Sequence, residues 1–171
     1  HFCGLSMGGV IGQWLAIHAP QRLHKLVLAN TAAKIGTQQG WATRAHSVRQ
    51  EGLDAIADGA AGRWFSPEFI AARPATIAAM LDKLRRQDPQ GYASCCDALA
   101  KADLRGAIQD IAAPTLIIAG TLDPVTTIDD ALLMQQAIFH AEVATVDASH
   151  LSNIEADLAF TGLLLDFLRA R

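Results

Sequence analysis

A chain of 171 residues, 51% hydrophobic and 18% charged, can bury a core of its own, which excludes a disordered segment. Its 14 basic and 17 acidic side chains leave a formal charge of −3 and no basic stripe, which excludes the electrostatic footprint of nucleic-acid binding. No apolar run reaches the ~18 residues of a membrane span and no basic-then-apolar leader opens the chain, so the expectation is a soluble, cytoplasmic protein with no membrane or nucleic-acid partner. The three cysteines, Cys3, Cys95 and Cys96, are odd in number and two are adjacent, a tether that strains a disulfide. They are read as packed thiols, with Cys3 in the core.

In chain order, Phe2 and Cys3 resemble the end of a strand. Between Met7 and Ala19 the apolar positions Val10, Ile11, Trp14, Leu15 and Ile17 recur at helical spacing, and Pro20 stops the helix. Leu26–Ala29 reads as a buried strand. From about residue 40 to 107 the spacing is helical, as in Ile77, Met80, Leu81 and Leu84, then Tyr92, Cys95, Cys96 and Leu99. Gly36, Gly52, Ser66-Pro67 and Asp88-Pro89 cut that stretch into short helices. Thr115–Ala119 and Val143–Val146 are further buried strands, each followed by a helical pattern, over 128–138 and 158–168. Alternation of this kind predicts an α/β fold with a mostly parallel sheet, interrupted by a helical insertion. The expected divisions are 1–36, 37–107 for the insertion, and 108–171. His1 stands where a start methionine would, and a β/α enzyme domain commonly runs to roughly 200 to 250 residues, so the chain is expected to be part of a longer protein.

Gly4-Leu5-Ser6-Met7-Gly8 has the spacing Gly-x-Ser-x-Gly just ahead of the first helix. A nucleophile at a sharp strand-to-helix turn has a strained backbone and tolerates only small neighbours two residues away, and glycine stands at both positions. A serine hydroxyl needs a base, and the base needs an orienting acid. Asp123 and His150 each follow the carboxyl end of a predicted strand, on the same sheet edge as Ser6. Alone, Asp123-Pro124 is equally a plain turn, and His150 equally a solvated or capping residue. Together they supply the chain order Ser, Asp, His of the α/β-hydrolases. His18, His24, His46 and His140 lack that context and have no zinc spacing, so neither metal nor cofactor is expected.

Five stretches resemble the 3-oxoadipate enol-lactonases: Phe2–Gly9, Leu26–Gly36, Gly91–Leu99, Pro114–Gly120 and His150–Glu155. The elbow and the acid strand are shared with many hydrolases. Asn30-Thr31-Ala32-Ala33, Tyr92-Ala93-Ser94-Cys95-Cys96 and His150-Leu151-Ser152-Asn153 single out this family. The resemblance implies an α/β-hydrolase fold with an eight-stranded sheet and a helical cap, here without its N-terminal strands, including the sheet partner of Leu26–Ala29. It implies Ser6 as nucleophile, Asp123 as acid, His150 as base and the Met7 N–H as one oxyanion-hole donor, the second donor lying in a loop ahead of His1. The activity implied is opening of 3-oxoadipate enol-lactone in the β-ketoadipate pathway of aromatic catabolism. Such a substrate carries a carboxylate that in a mostly apolar pocket needs a cation or several N–H donors. Arg44, one turn after Trp41, is the first candidate and Arg63, beside Trp64, the second, with Trp41 a candidate to line the pocket, although a solvated surface position is the commoner reading for any single arginine and packing of cap against core the commoner one for the aromatic ring. The expected partners are a small lactone and the missing N-terminal segment of the same fold. Rival readings are a carboxylesterase, a carbon–carbon bond hydrolase or a cofactor-free haloperoxidase-like enzyme of this fold, and a fragment inactive in isolation.

Overall fold

The computed structural model describes residues 1–170. Its four strands, β1 (Phe2–Leu5), β2 (Leu26–Ala29), β3 (Thr115–Gly120) and β4 (Ala141–Val146), form one parallel sheet in the order β1-β2-β3-β4. Every residue of β2 and β3 is buried, as expected of central strands covered on both faces. β2 pairs with β1 in the register Phe2↔Leu26 and with β3 in the register Leu26↔Thr115. The expectation that Leu26–Ala29 lacks a sheet partner is thus corrected. Phe2–Leu5, only four residues long, supplies one, and the edge strands among the described residues are β1 and β4.

Successive strand residues face opposite sides and build two cores. Leu26, Leu28, Ile117 and Ala119 pack with Ala16 of α1 (Met7–His18) and with Ala131 and Met134 of α8 (Ile128–Ala137). On the other face Val27, Ala29, Leu116, Ile118 and Val146 pack with Phe160 of α10 (Asp157–Arg169). α1 buries only part of the apolar set that its sequence spacing picks out. Ile11 and Trp14 are 50% and 54% exposed, while Gly9, Val10, Gly12, Gln13 and Ala16 are buried. Close approach is the reason: a Cβ at Gly12 would lie 2.9 Å from the Phe2 ring, so the helix meets the sheet through its small residues. Cys3 is also corrected, because it stands exposed on the edge strand rather than in the core.

The chain divides into a sheet unit, 1–35 with 103–171, and a helical unit, 36–102. Residues 103–107 belong with the sheet, where Leu104 N–H donates to Ala33 O at 2.9 Å. The helical unit runs α2 (Gln38–Glu51), α3 (Asp54–Asp58), α4 (Ala61–Trp64), α5 (Pro67–Ala72), α6 (Pro74–Arg85) and α7 (Pro89–Lys101). Its starts follow the punctuation of the sequence. Thr37 caps α2 by accepting from Gly40 N–H, Ser66 caps α5 from Phe69 N–H, and Asp88 caps α7 from Gln90 and Gly91 N–H. Gly52 ends α2 with φ 80°, a conformation that favours glycine. Ala45, Val48, Leu53, Ala93 and Cys96 form one cluster of this unit, and Ala57, Ala60 and Leu84 another. Cys95, expected to be a packed thiol like the other two cysteines, is exposed. No helix of the described residues is long and apolar enough to cross a membrane.

Candidate active site

Ser6 joins β1 to α1 with φ 53° and ψ −118°, a strained conformation for a residue with a side chain. Several bonds hold the turn. Ser6 N–H donates to Ala29 O at 2.9 Å, Val10 N–H donates to Ser6 O at 3.2 Å, and Thr31 Oγ1 donates to the same oxygen at 2.7 Å. Of the two glycines that flank the turn only Gly4 is a steric requirement, and the expectation that position 8 must also be small is corrected, because a Cβ at Gly8 would meet nothing within 4 Å. A Cβ at Gly4 would lie 2.1 Å from Gly8 O, and one at Gly9 would lie 2.5 Å from the Thr31 side chain. Ser6 caps α1, yet its hydroxyl makes no capping bond. It points instead to His150, with Oγ 2.9 Å from Nε2. Met7 takes the first helical position, where a backbone N–H has no intrahelical acceptor.

Asp123 follows β3 in the turn ahead of α8, and its carboxylate is enclosed by donors. Val125 and Thr126 N–H donate to Oδ1 at 2.7 and 3.1 Å, and Thr126 Oγ1 donates to Oδ2 at 2.8 Å. Burial opposes its charge, but the hydrogen bond and charge of His150, the Asn30 amide and Val125 N–H outweigh that and hold it below the usual carboxylate range. His150 follows β4 just ahead of α9 (Ser152–Glu155) and is buried. Its Nδ1 lies 2.8 Å from Asp123 Oδ2. A carboxylate only accepts, so Nδ1 carries the proton and Nε2 is left to accept from Ser6. Ser6, His150 and Asp123 therefore form a continuous hydrogen-bonded line across the carboxyl ends of β1, β4 and β3. Such a line can take a proton from the serine hydroxyl as it attacks an electrophilic carbon.

Trp41, Arg44 and Arg63 all lie in the helical unit. The Arg44 guanidinium sits 4.8 Å from the Trp41 ring centroid, and its charge acts on the Tyr92 hydroxyl, whose pKa burial raises more than Arg44 lowers it. Arg63 donates to Ile56 O at 2.9 Å, and burial together with the like charge of Arg44 pushes it below the ordinary arginine value. Neither arginine forms a salt bridge with a carboxylate of the described residues. Two guanidinium groups in each other's field are suited to an anion.

Sequence reading gave no role to Asn30, Thr31, Thr126 or Ser152, all buried beside the line. Asn30 carried a signal in its place directly after a buried strand, as Asp123 and His150 do. The other three carried none, because a threonine or serine in a loop is ordinary.

A family model described as serine aminopeptidase, S33 matches residues 1–150. The chain is 50% identical over 159 residues to 3-oxoadipate enol-lactonase 2 of Acinetobacter baylyi, covering 93% of this chain and 60% of that protein. It is 44% identical over 170 residues to 3-oxoadipate enol-lactonase 1 of the same organism, covering 99% and 64%. It therefore spans under two thirds of the length of these curated relatives. Among solved structures, the enol-lactonase from Burkholderia xenovorans LB400 superposes with a TM-score of 0.97 at 42% identity, over 99% of this chain and 65% of that one. The parallel sheet flanked by helices is that of the α/β-hydrolases, and the chain belongs to the serine aminopeptidase S33 family.

Proposed function

We propose that this chain carries the catalytic centre of a serine hydrolase that opens 3-oxoadipate enol-lactone to 3-oxoadipate, a step of aromatic catabolism through the β-ketoadipate pathway. The observation supporting it most is the unbroken line from Ser6 Oγ to His150 Nε2, 2.9 Å, and from His150 Nδ1 to Asp123 Oδ2, 2.8 Å. The similarity to two enol-lactonases supports the substrate class.

Ser6 Oγ attacks the lactone carbonyl carbon and its proton passes to His150 Nε2. The carbonyl oxygen becomes an oxyanion and Met7 N–H is one donor to it. Collapse breaks the ring carbon–oxygen bond, and the departing enol oxygen takes the proton from His150. The enol then relaxes to the ketone. Water, deprotonated by His150, attacks the acyl-serine ester and releases the acid with Ser6 restored. Asp123 keeps the imidazole in the tautomer that accepts from serine and stabilises the imidazolium once formed. An enol leaves more readily than an alcohol or amine, so deacylation carries more of the barrier here than in amide hydrolysis. In the helical unit, Arg44, steadied by Trp41, binds the substrate carboxylate with Arg63 in support.

The test is a ring-opening assay with the full open reading frame containing this chain. Ser6→Ala is expected to lower kcat by at least about 10³-fold. An active Ser6→Ala variant would refute the nucleophile. Arg44→Ala should raise KM for the acidic lactone by about 10- to 100-fold, the weight of one charge-assisted hydrogen bond, and leave KM for a neutral ester within a few-fold. Equal effects on both substrates would remove Arg44 from carboxylate binding.

A further inference from the structure

Besides its bond to His150, Asp123 is held in two different ways. The bonds from Val125 N–H, Thr126 N–H and Thr126 Oγ1 all come from the two or three residues that follow it, so they fix the carboxylate only relative to its own loop. The bond from Asn30, whose Nδ2 donates to Asp123 Oδ2 at 3.0 Å, comes from the loop after β2. The same Nδ2 donates to Ser149 O at 3.2 Å, on the residue next to His150. Asn30 Oδ1 accepts from Ser152 Oγ, two residues beyond His150. Both amide hydrogens and the amide oxygen are thus engaged, and the pattern fixes which end is nitrogen.

We infer that Asn30 is a positioning residue that ties the acid loop to the histidine loop and aims Asp123 Oδ2 at His150 Nδ1. This rests on the reading of Ser6, Asp123 and His150 as a catalytic line. The fold is shaped around the clamp. Asn30 has φ 41°, a left-handed conformation that asparagine tolerates better than most residues. Gly120, at the end of β3, leaves the space the clamp needs, because a Cβ there would lie 2.9 Å from Asn30 Nδ2 and 2.7 Å from Ser149 O. Asn30 and Ser152 are both buried, so water is a poor substitute for either partner. The charged or titratable side chains bonded into these loops are Asp123, His150, Glu155, which accepts from Ser149 N–H at 3.0 Å, and Asp147, which accepts from Thr121 Oγ1 at 3.0 Å. Asn30 is the neutral group set between the acid and the histidine loop.

The test uses Asn30→Gly and Asn30→Asp in the full open reading frame. Glycine adopts the same backbone without strain and deletes the clamp. Its kcat for lactone opening is expected to fall by about 10- to 100-fold with KM held within about twofold. The low-field proton resonance of His150 Nδ1–H, assigned by its loss in Asp123→Asn, is expected to shift or broaden. A resonance left in place in Asn30→Gly overturns the proposal, whatever the rates do. If Asn30→Gly does not fold, Asn30→Asp decides, since it is isosteric and keeps the acceptor for Ser152. Two carboxyls about 3 Å apart share one proton, so the introduced group donates to Asp123 when protonated and repels it when ionised. The ratio of its kcat/KM to wild type is expected to fall as pH rises, and a flat ratio overturns the proposal. The resonance is read without substrate. A protein that loses it in Asn30→Gly but stays active as Ser6→Ala therefore supports the clamp while refuting the proposed function.

Discussion

Substituting single glycines separates the demands of the turn at Ser6 from those of the helices around it. A Cβ at Gly4 would meet Gly8 O and Gly9 N, at 2.1 and 2.7 Å, both backbone atoms of the first turn of α1. Neither can move without shifting the helix, so Gly4→Ala is expected to lose more than about 3 kcal/mol of stability or fail to fold. At Gly9 the obstacle is the Thr31 side chain, and its Cβ, 2.6 Å away, is held by the backbone, so the loop after β2 must shift and the bond from Thr31 Oγ1 to Ser6 O is disturbed. Gly9→Ala should therefore lose about 1–3 kcal/mol of stability, less than Gly4→Ala, with a larger proportional loss in kcat. Gly162, in the middle of α10, meets nothing within 4 Å, and Gly162→Ala should gain up to about 1 kcal/mol from helix propensity. Urea unfolding of the three variants beside initial rates checks the ranking. A Gly4→Ala as stable as wild type would mean that the turn does not need the close approach.

At the scale of elements, what sequence could show depended on whether a signal was local. Strand positions were legible where a short run is buried on both faces and so apolar throughout, as in Leu26–Ala29, whereas Val143–Val146, expected to be buried, ends the edge strand β4 and buries only Val146. Helix starts were legible where Ser66-Pro67 and Asp88-Pro89 mark caps. The buried side of α1 was not, because hydrophobicity picks out Ile11 and Trp14, whereas close packing on the sheet selects Gly9, Gly12 and Ala16. Nor was the pairing of β1 legible, since Phe2–Leu5 is too short to announce itself as a neighbour of β2. Ser6, Asp123 and His150 stood out through strand-end placement, but the network behind them depends on which loops meet in space. Asn30 and Ser152 are 122 residues apart. One element of that network is testable by its cap. Thr127 and Asp130 form a reciprocal capping box at the start of α8, immediately after the loop that encloses Asp123. Thr127→Ala is expected to cost about 1 kcal/mol in thermal unfolding, because an N–H of the first turn loses its acceptor. Its effect on kcat should be smaller than that of Asn30→Gly, since Thr127 touches the helix rather than the carboxylate. The reverse order would place control of the acid loop in α8.

For the whole molecule, the shifted titrations set the pH window of stability. Asp123 is held low by His150, Asn30 and Val125 against the opposing effect of burial, Asp97 by Arg49, and Asp103 by Arg105 and Lys34. A depressed carboxyl stabilises the fold above its unfolded value of about 3.9, and that stabilisation is lost as pH falls toward the folded value. Asp97 and Asp103 are solvent-accessible and their pairs are screened by salt, so the buried Asp123 dominates the acid limb. The alkaline limb has the opposite sign. Burial raises Cys96 and Tyr92 more than the nearby arginines lower them, so the folded state favours their protonated forms. Their contribution is complete below the unfolded thiol value of about 8.5 and declines as pH rises beyond it. Tm is therefore expected to be level between about pH 5 and about pH 8, to fall below about pH 4, and to fall again above about pH 9. Asp123→Asn should flatten the acid limb and leave the alkaline one unchanged, because the amide has no proton to take up between folded and unfolded chains. Added salt should weaken only the part of the acid limb that belongs to Asp97 and Asp103. Thermal melts from about pH 3 to about pH 10, with wild type and Asp123→Asn at two salt concentrations, measure both limbs. An acid limb as steep in Asp123→Asn as in wild type would show that the carboxylate of the proposed catalytic line does not govern the acid stability of the fold.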